Sequence, residues 1–389
     1  VTTTQIPMTL LFLTEFFPAS ADAITGGIEA RMWYVTRLLA EKHEVTVIAS
    51  HQPETEREEI INRVRVLRVG PTYTYTSTGN LFARLRFVIA AWKKGRRQSS
   101  DIVEGSTFLT HPIAFFVAQH IGAKSAAWVA DVWGWKWLSY GGPFGLLGLF
   151  IEQLTLSLPW DVMVCISQVV AQKVKTESIG KNKVMIIPCG IDLAEFPSKP
   201  RKKERGLLVW SGRFVEYKRP FFFLDAVKQL SWKDPKIHAV MIGHGPLLLK
   251  VQDYIKKEGL FDVVEIKSNL PRKMFVDTLA RAQLFVQTSV VEGFGIVVLE
   301  ALAVYTPVVV PDLPIYREVT AGKGVMFIKA NDVNDLADAE KIGWFLGKRN
   351  VRDLQREGRK HAETYDWRII AKETRDKYRA IVRLLHRPM

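Results

Sequence analysis

The sequence predicts an α/β protein made of two Rossmann-like, doubly wound domains, and three observations support this prediction. The chain has 389 residues, which is enough for two domains of about 150 to 200 residues each. Near its start, an apolar run at 8–14, a helical pattern at 30–41 and an apolar run at 44–49 form a strand–loop–helix–strand unit. A second series begins at 207–211, after a charged, proline-bearing stretch at 198–205 that is typical of a linker.

The composition is that of a globular protein, with 48% apolar and 24% charged residues. The two cysteines, Cys165 and Cys189, indicate neither a disulfide framework nor a zinc site, and they suit a reducing compartment. No basic segment precedes the first apolar run, so a signal peptide is not predicted. We therefore expect a cytoplasmic protein.

The net charge of +14 is unevenly distributed along the chain. Residues 1–180 hold 17 Lys and Arg against 15 Asp and Glu, a balance of +2, whereas residues 181–389 hold 37 against 25, a balance of +12. Such a basic balance suits phosphate-rich substrates, nucleic acid or an anionic membrane surface. Charge alone does not choose among them.

The most informative stretch is the loop Glu292-Gly293-Phe294-Gly295, which separates an apolar strand-like run from an apolar helical run that begins near Ile296. Glycines let the backbone turn tightly and let a ligand approach the main chain closely. The free N–H groups and the dipole of the following helix favour a phosphate at its N-terminus.

The spacing of two glutamates, Glu292 and Glu300, would allow both to contact one ligand. Glu300 lies on the same helix face as Ile296, about 6 Å along the axis. A nucleotide sugar folded over this helix end would offer sugar hydroxyls to Glu292 and ribose hydroxyls to Glu300. The alternative is that both are surface acids, but the neighbours of Glu300 are apolar, and a carboxylate there must find hydrogen-bond partners.

This Glu-Gly-Phe-Gly motif, with a second glutamate eight positions after the first, resembles the signature of retaining glycosyltransferases of family four, which have the GT-B fold. The resemblance implies two Rossmann-like domains that face each other across a cleft. It implies an acceptor-binding domain at 1–190, a donor-binding domain at 191–367 and a helix at 368–389 that crosses back to the first domain. The donor would be a nucleoside diphosphate sugar.

Two cations lie in the loop that follows the strand-like run at 207–211, namely Arg213 and Lys218. A guanidinium fork and a mobile ammonium both suit a diphosphate. Solvated loop charges are the alternative, but loops at the carboxyl ends of parallel strands form the ligand crevice of open α/β sheets. The resemblance assigns this pair to the departing diphosphate.

The resemblance also implies several loop contacts to the donor: the first glycine loop near the phosphates, a Gly-x-Gly-Pro turn near the base and ribose, and main-chain contacts to the base. A tight turn explains the first glycine pair equally well. These donor-binding candidates are Gly26, Gly27, Gly212, Gly243, His244, Gly245, Lys267, Asn269, Leu270, Gly293, Phe294, Gly295 and Ile296, in addition to Arg213, Lys218, Glu292 and Glu300.

The acceptor side departs from the family pattern. Relatives often have a histidine just before the acid that ends one strand, and this chain has Ala130 before Asp131. Asp131 is the remaining candidate for a polar group near the acceptor, and a turn cap is the alternative. Glu104 stands where relatives have strand-end histidines, and Cys189 and Tyr305 replace a usual asparagine and glycine.

A basic helix predicted at 81–98 and the tryptophans Trp133, Trp135 and Trp137 leave the nature of the acceptor open. Packing on the sheet is one explanation, and an interface with lipid headgroups is another. Nucleic-acid binding is not expected, since no recognition motif accompanies the charge. The acceptor would be a glycan or a lipid-linked molecule, with an anionic membrane surface as a further partner.

Together these features predict transfer of a sugar with retention at the anomeric carbon, with Glu292, Arg213, Lys218 and Asp131 as catalytic residues. No cofactor and no metal are expected, because the sequence lacks an Asp-x-Asp triplet. The rival functions are a nucleotide-sugar epimerase of the same fold and a non-catalytic basic protein that binds membranes or nucleic acid. The protein would be cytoplasmic, or peripheral on the inner face of the membrane.

Overall fold

The computed structural model describes residues 6–74, 81–140, 145–178, 182–268, 270–338, 342 and 351–383. The chain divides into two compact units. Unit 1 contains Val1–Cys189 and Trp367–Met389, and unit 2 contains Gly190–Asp366. The division at Cys189 lies one residue from the predicted domain boundary, and the last helix is part of unit 1.

Unit 1 is built on a sheet in which the described strands follow the order β3-β4-β2-β1-β5-β6-β7-β8. Only the pairing of β3 with β4 is antiparallel among these strands. The strands are β1 (Thr9–Leu13), β2 (Glu44–His51), β3 (Glu58–Ile61), β4 (Val64–Thr72), β5 (Ile102–Gly105), β6 (Lys124–Val129), β7 (Val162–Cys165) and β8 (Val184–Ile186). Leu10 pairs with Val45 on one side and Ile102 on the other, so β1 lies inside the sheet.

Helices connect these strands, as expected where parallel strands must be joined by crossovers. They are α1 (Gly27–Leu39), α2 (Leu81–Gly95), α3 (His111–Ile121), α4 (Lys136–Tyr140), α5 (Gly145–Ser157), α6 (Gln168–Glu177) and, at the end of the chain, α14 (Trp367–Arg383). α14 packs against α1, where Trp367 stacks on Tyr34 with ring centroids 5.6 Å apart.

A buried polar cluster connects α1, β5 and α14. Arg31 donates to both carboxylate oxygens of Glu104 at 2.5 and 2.9 Å, and its guanidinium lies 4.5 Å above the centre of the Trp128 ring. Glu104 also accepts hydrogen bonds from Ser106 and Tyr378. Glu104 therefore holds three segments of unit 1 together, a role that its position at a strand end did not reveal.

Unit 2 is built on a parallel sheet in the order β11-β10-β9-β12-β13-β14. The strands are β9 (Leu207–Ser211), β10 (His238–Ile242), β11 (Val264–Lys267), β12 (Leu284–Val286), β13 (Val308–Pro311) and β14 (Val325–Ile328). Strands buried on both faces appear in the sequence as continuous apolar runs, which is why the sequence predicted several of them.

The described helices of unit 2 are α7 (Pro220–Lys233), α8 (Leu248–Lys257), α9 (Arg272–Arg281), α10 (Ile296–Ala303), α11 (Pro314–Thr320), α12 (Val333–Leu336) and α13 (Val351–Ala362). The core includes Trp210, Phe214 and Phe223. Burying such side chains contributes about 1.5–3 kcal/mol each. Trp210 also donates its indole N–H to Thr288 at 2.9 Å, so this core extends to the loop that follows β12.

Candidate active site

The loop that follows β12 and the loop that follows β9 meet through an ion pair. Lys218 Nζ lies 2.5 Å from Glu292 Oε2. The two loops are also joined through the main chain, because Val290 N–H donates to Tyr217 C=O at 3.0 Å and Thr288 Oγ1 donates to Lys218 C=O at 2.7 Å. Both side chains are largely shielded from solvent, so a predicted cation and a predicted acid face each other at the carboxyl edge of the sheet.

Gly295 has the left-handed backbone conformation that its loop requires. Its φ is +89°, and α10 begins at the next residue with no side-chain cap on Gly295. A Cβ added there would lie 3.2 Å from the ring of Tyr316, which is buried beneath the loop. The first N–H groups of α10 have no partner within the helix itself, and this arrangement suits an anion.

The side chain of Phe294 belongs to the core of unit 2. It is buried, and its ring meets Tyr365 edge-on with centroids 5.8 Å apart. Only the main chain of Phe294 is therefore suited to bind a donor. Next to it, Gly293 and Ile296 are half-buried.

Glu300 is buried in α10 and is paired with a residue that the sequence analysis missed. Its Oε1 lies 2.7 Å from Arg272 of α9, and Arg272 also binds Glu195 at 2.7 Å. Burial raises the pKa of Glu300, while the charge and the hydrogen bond of Arg272 oppose the rise. The expectation that this carboxylate must find hydrogen-bond partners is thus met by Arg272.

Arg272 could have been noticed from its position. It follows the predicted base-contact segment at 267–271 directly, and the apolar surroundings of Glu300 already required a donor. Glu195 lies in the turn Leu193–Glu195, 77 positions before Arg272, and no local pattern connects the two. Only tertiary structure brings Glu195 to Arg272.

The glycines of the Gly-x-Gly-Pro turn serve the packing of two backbones. A Cβ on Gly243 would lie 2.1 Å from Gly212 C=O, and a Cβ on Gly245 would lie 2.7 Å from the main chain of Phe214. Phe214 N–H donates to His244 C=O at 2.9 Å, and the His244 side chain is exposed. These glycines therefore hold the turn against the loop after β9.

Arg213 lies in that same loop and is half-buried. Among the predicted charged residues that the structure describes, those that take part in ion pairs include Lys218, Glu292, Glu300, Lys267 and Asp131. Lys218 binds Glu292, and Glu300 binds Arg272. Arg213 and Lys218 lie in the same loop, five positions apart. Lys218 faces Glu292, the acid predicted to bind the sugar.

The remaining donor candidates of unit 2 lie near β11. Lys267 C=O accepts from Gly243 N–H at 3.0 Å, and its ammonium lies 3.2 Å from Glu265. Leu270 is half-buried. Asn269 lies outside the described residues.

In unit 1, the first glycine loop is open. Gly26 has an extended backbone with φ −157°, and Gly27 is the first residue of α1. A Cβ on Gly26 would meet nothing within 4 Å, so a tight turn does not explain this glycine. It leaves the N-terminus of α1 uncovered by a side chain.

The carboxylate of Asp131 is held by two neighbouring groups in unit 1. Its Oδ1 lies 2.5 Å from Lys173 of α6 and accepts from Val132 N–H at 2.8 Å. Burial raises the pKa of Asp131, and Lys173 opposes the rise. Asp131 thus contacts the N–H group of the next residue, and Lys173 is a partner that the sequence did not indicate.

The tryptophan segment after Asp131 is only partly packed. Glu152 accepts from the N–H groups of Trp133 and Gly134 at 2.9 and 2.7 Å, and the rings of Trp133 and Trp137 lie 4.9 Å apart. Trp135, by contrast, is exposed. Trp133 and Trp137 therefore take part in packing, and a role of Trp135 at an acceptor or a membrane edge stays a prediction.

Comparisons with known proteins agree with this architecture. The chain resembles a sucrose-phosphate synthase from Thermosynechococcus elongatus with a TM-score of 0.82 and 17% identity, over 97% of this chain and 100% of that one. It resembles Anabaena Alr3699/HepE, in a complex with UDP and glucose, with a TM-score of 0.74 and 14% identity, over 96% and 100%. The two α/β units therefore define a protein of the GT-B fold.

Family models identify the class further. The model for Glycosyltransferase Family 4 matches residues 25–195, and the model for glycosyl transferases group 1 matches residues 193–361. The chain belongs to the family-four glycosyltransferases.

Two named relatives are similar to this chain in sequence. The chain is 28% identical to a D-inositol 3-phosphate glycosyltransferase of Paenarthrobacter aurescens, over 52% of each sequence, so the match spans about half of that relative. It is 22% identical to the phosphatidylinositol N-acetylglucosaminyltransferase GPI3 subunit of Saccharomyces cerevisiae strain YJM789, over 91% of this chain and 79% of that one.

Two features are absent from the part of the chain that the structure describes. No helix there has the length and apolar character needed to span a bilayer. No group of three or more His, Cys, Asp or Glu side chains there is arranged to hold a metal ion.

Proposed function

We propose that the protein transfers a sugar from a nucleoside diphosphate sugar to an acceptor hydroxyl, with retention at the anomeric carbon. The observation that carries the proposal is the contact between Lys218 and Glu292 beside the uncapped N-terminus of α10. A phosphate at this helix end would be close to a cation, and the sugar attached to it would be close to an acid.

The reaction breaks the bond between the anomeric carbon and the diphosphate oxygen, forms a bond to the acceptor oxygen on the same face, and passes the proton of the acceptor hydroxyl to the departing diphosphate. Negative charge develops on the diphosphate as it leaves. Lys218, Arg213 and the N–H groups of α10 would stabilise this charge, as preorganised donors do in other active sites. The cations would do so without a metal or other cofactor. Glu292 would then be free to accept hydrogen bonds from sugar hydroxyls.

Glu300 would bind the ribose. Its Oε1 is held by Arg272, and a carboxylate can accept further hydrogen bonds at its other oxygen. The ion pair would keep Glu300 charged and correctly oriented despite burial. Arg272 would thus position a donor-binding residue without contacting the sugar.

For the acceptor, we propose a lipid-linked molecule or a glycan at the cytoplasmic face of a membrane, with Asp131 on the acceptor side. Phosphatidylinositol is part of the name of one relative that aligns over most of this chain. The free, buried cysteines Cys165 and Cys189 suit a reducing compartment.

The test begins with donor binding. We expect one of UDP-, GDP- or ADP-sugars to raise the melting temperature of the full chain, because a ligand that binds only the folded state stabilises it. Lys218→Met and Glu292→Gln should reduce the rise, whereas Lys256→Met, at an exposed position of α8, should leave it unchanged. If none of these donors raises the melting temperature, the donor assignment is wrong.

Stereochemistry and reaction type need a second measurement. Proton NMR of the products should show an anomeric coupling like that of the donor, which establishes retention. An epimerase would instead change the free donor sugar in the absence of any acceptor. An inverted product would refute the retaining mechanism without refuting donor binding.

A further inference from the structure

The outward face of α2 is apolar. Leu81, Phe82, Leu85 and Ile89 are between 47% and 68% exposed, although smaller residues of the same helix such as Ala83 are buried. At 3.6 residues per turn, the four exposed residues fall within an arc of about 100°. The helix therefore packs on unit 1 with one face and presents a second apolar face to solvent.

Two neighbouring helices also carry exposed apolar side chains. α3 packs against both α2 and α5. Phe116 of α3 is 49% exposed, and Leu146 and Phe150 of α5 are 73% and 65% exposed. Large apolar side chains on adjacent helices form the type of patch that marks an interaction site.

The same helices lack exposed negative charge. Across α2, α3, α4 and α5 the sequence contains one acid, Glu152, which is buried and accepts from two backbone N–H groups. Arg86, Lys93 and Lys136 are exposed on these helices. On α2, the two cations lie in an arc of the helix adjoining the apolar one.

We propose that α2, α3 and α5 form a docking surface for a bilayer that contains anionic phospholipids. A helix that lies in the membrane interface combines an apolar face with Lys and Arg beside it, and anionic headgroups attract those cations. A second copy of this chain is a poor occupant, because it would bring two positive surfaces together. The proposal rests on the proposed function in one respect, because access to a membrane acceptor is the reason for docking. Binding of the protein to a bilayer itself needs neither donor nor acceptor.

The experiment measures sedimentation of the full chain with vesicles of phosphatidylcholine alone and of phosphatidylcholine mixed with phosphatidylglycerol. The wild-type chain should bind the mixed vesicles and bind the neutral ones weakly. Arg86→Gln with Lys93→Gln should weaken binding to mixed vesicles about 25-fold, since each cation near the surface contributes about fivefold. Phe82→Ser with Leu85→Gln should weaken it by at least about tenfold.

Matched controls lie in unit 2. Leu249 and Phe261 are exposed to similar extents, 74% and 68%, so Leu249→Gln with Phe261→Ser removes the same side-chain types elsewhere. Lys256→Gln with Lys257→Gln controls for charge at exposed positions of α8. The controls should bind vesicles like the wild-type chain.

The proposal is overturned if the wild-type chain does not bind mixed vesicles, or if the control variants lose as much binding as the docking-surface variants. Donor-induced stabilisation measured on the same proteins separates the two proposals. If the docking-surface variants lose vesicle binding and keep the donor-induced rise in melting temperature, the docking surface is supported. Vesicle binding without any donor response supports the docking surface and refutes the proposed function alone.

Discussion

The pairing of Glu300 with Arg272 allows a prediction whose magnitude follows from burial. We consider Arg272→Met, which keeps the aliphatic part of the side chain and removes the charge. Glu300 has 9% of its side chain exposed, whereas Arg272 has 36% exposed. The substitution would leave a buried carboxylate without its cation, and removing one partner of a buried pair commonly costs about 3–5 kcal/mol.

Protonation limits this cost. The ordinary pKa of a glutamate such as Glu300 is 4.5. Keeping the carboxyl protonated costs about 1.4 kcal/mol for each pH unit above that value. The part of the loss in the free energy of unfolding that comes from the buried charge of Glu300 therefore cannot exceed about 3.4 kcal/mol at pH 7, or about 0.7 kcal/mol at pH 5. Because solvent reaches Arg272, we expect about 2–3 kcal/mol at pH 7.

The sign of the pH dependence follows from the raised pKa of Glu300. A carboxyl whose pKa is raised in the folded state favours folding when it is protonated, and this contribution is lost as the pH rises through its folded value. Without Arg272 the pKa rises further, so the variant should lose more stability, relative to wild type, at pH 7 than at pH 5.

Urea unfolding followed by pulsed hydrogen exchange and mass spectrometry measures unit 2 separately, through peptides from α9 and α10. The double variant Arg272→Met with Glu300→Gln should be less sensitive to pH than Arg272→Met alone, because no buried carboxylate remains to be protonated. An equal loss for Arg272→Met at pH 5 and pH 7 would refute the reasoning.

Three further predictions concern other contacts. Lys218→Met should reduce sugar transfer by roughly 10²–10³-fold at saturating donor, as loss of an active-site donor does. An equal loss after Lys256→Met would contradict the assignment. Gly295→Ala should speed hydrogen exchange in α10 and weaken donor binding, because an alanine in the left-handed conformation costs about 1–2 kcal/mol. Gly259→Ala, which lies outside this site, should leave donor binding unchanged. Tyr378→Phe should lower the stability of unit 1 by about 1.5–3 kcal/mol through loss of its bond to Glu104. Unchanged exchange in peptides of β5 and α14 would argue against that bond.

The sequence was sufficient for the architecture. Apolar runs that alternate with helical patterns predicted β1, β2 and β9, because strands buried in parallel sheets leave a local signal. The structure begins α1 at Gly27 rather than Ala30 and ends α2 at Gly95 rather than Gln98. Helix ends depend on local capping, which the apolar pattern of the sequence does not specify.

The candidate site was predicted where its residues share a motif. The Glu292–Glu300 spacing and the cations of the loop after β9 are local patterns, and the structure brings Lys218 to Glu292. The roles of Arg213 and Asp131 remain predictions. The side chain of Phe294, by contrast, packs in the core against Tyr365. The loop motif alone does not predict which of its side chains are buried.

The sequence by itself determined the fold class, the domain division to be expected and the loop at which a donor would bind, because each of these depends on patterns within short segments. Tertiary structure alone decided that Arg272 neutralises Glu300, that Arg31 neutralises Glu104 and that the apolar face of α2 is exposed. Ion pairing and exposure depend on which distant segments pack together, and that information is not contained in any one stretch of the chain.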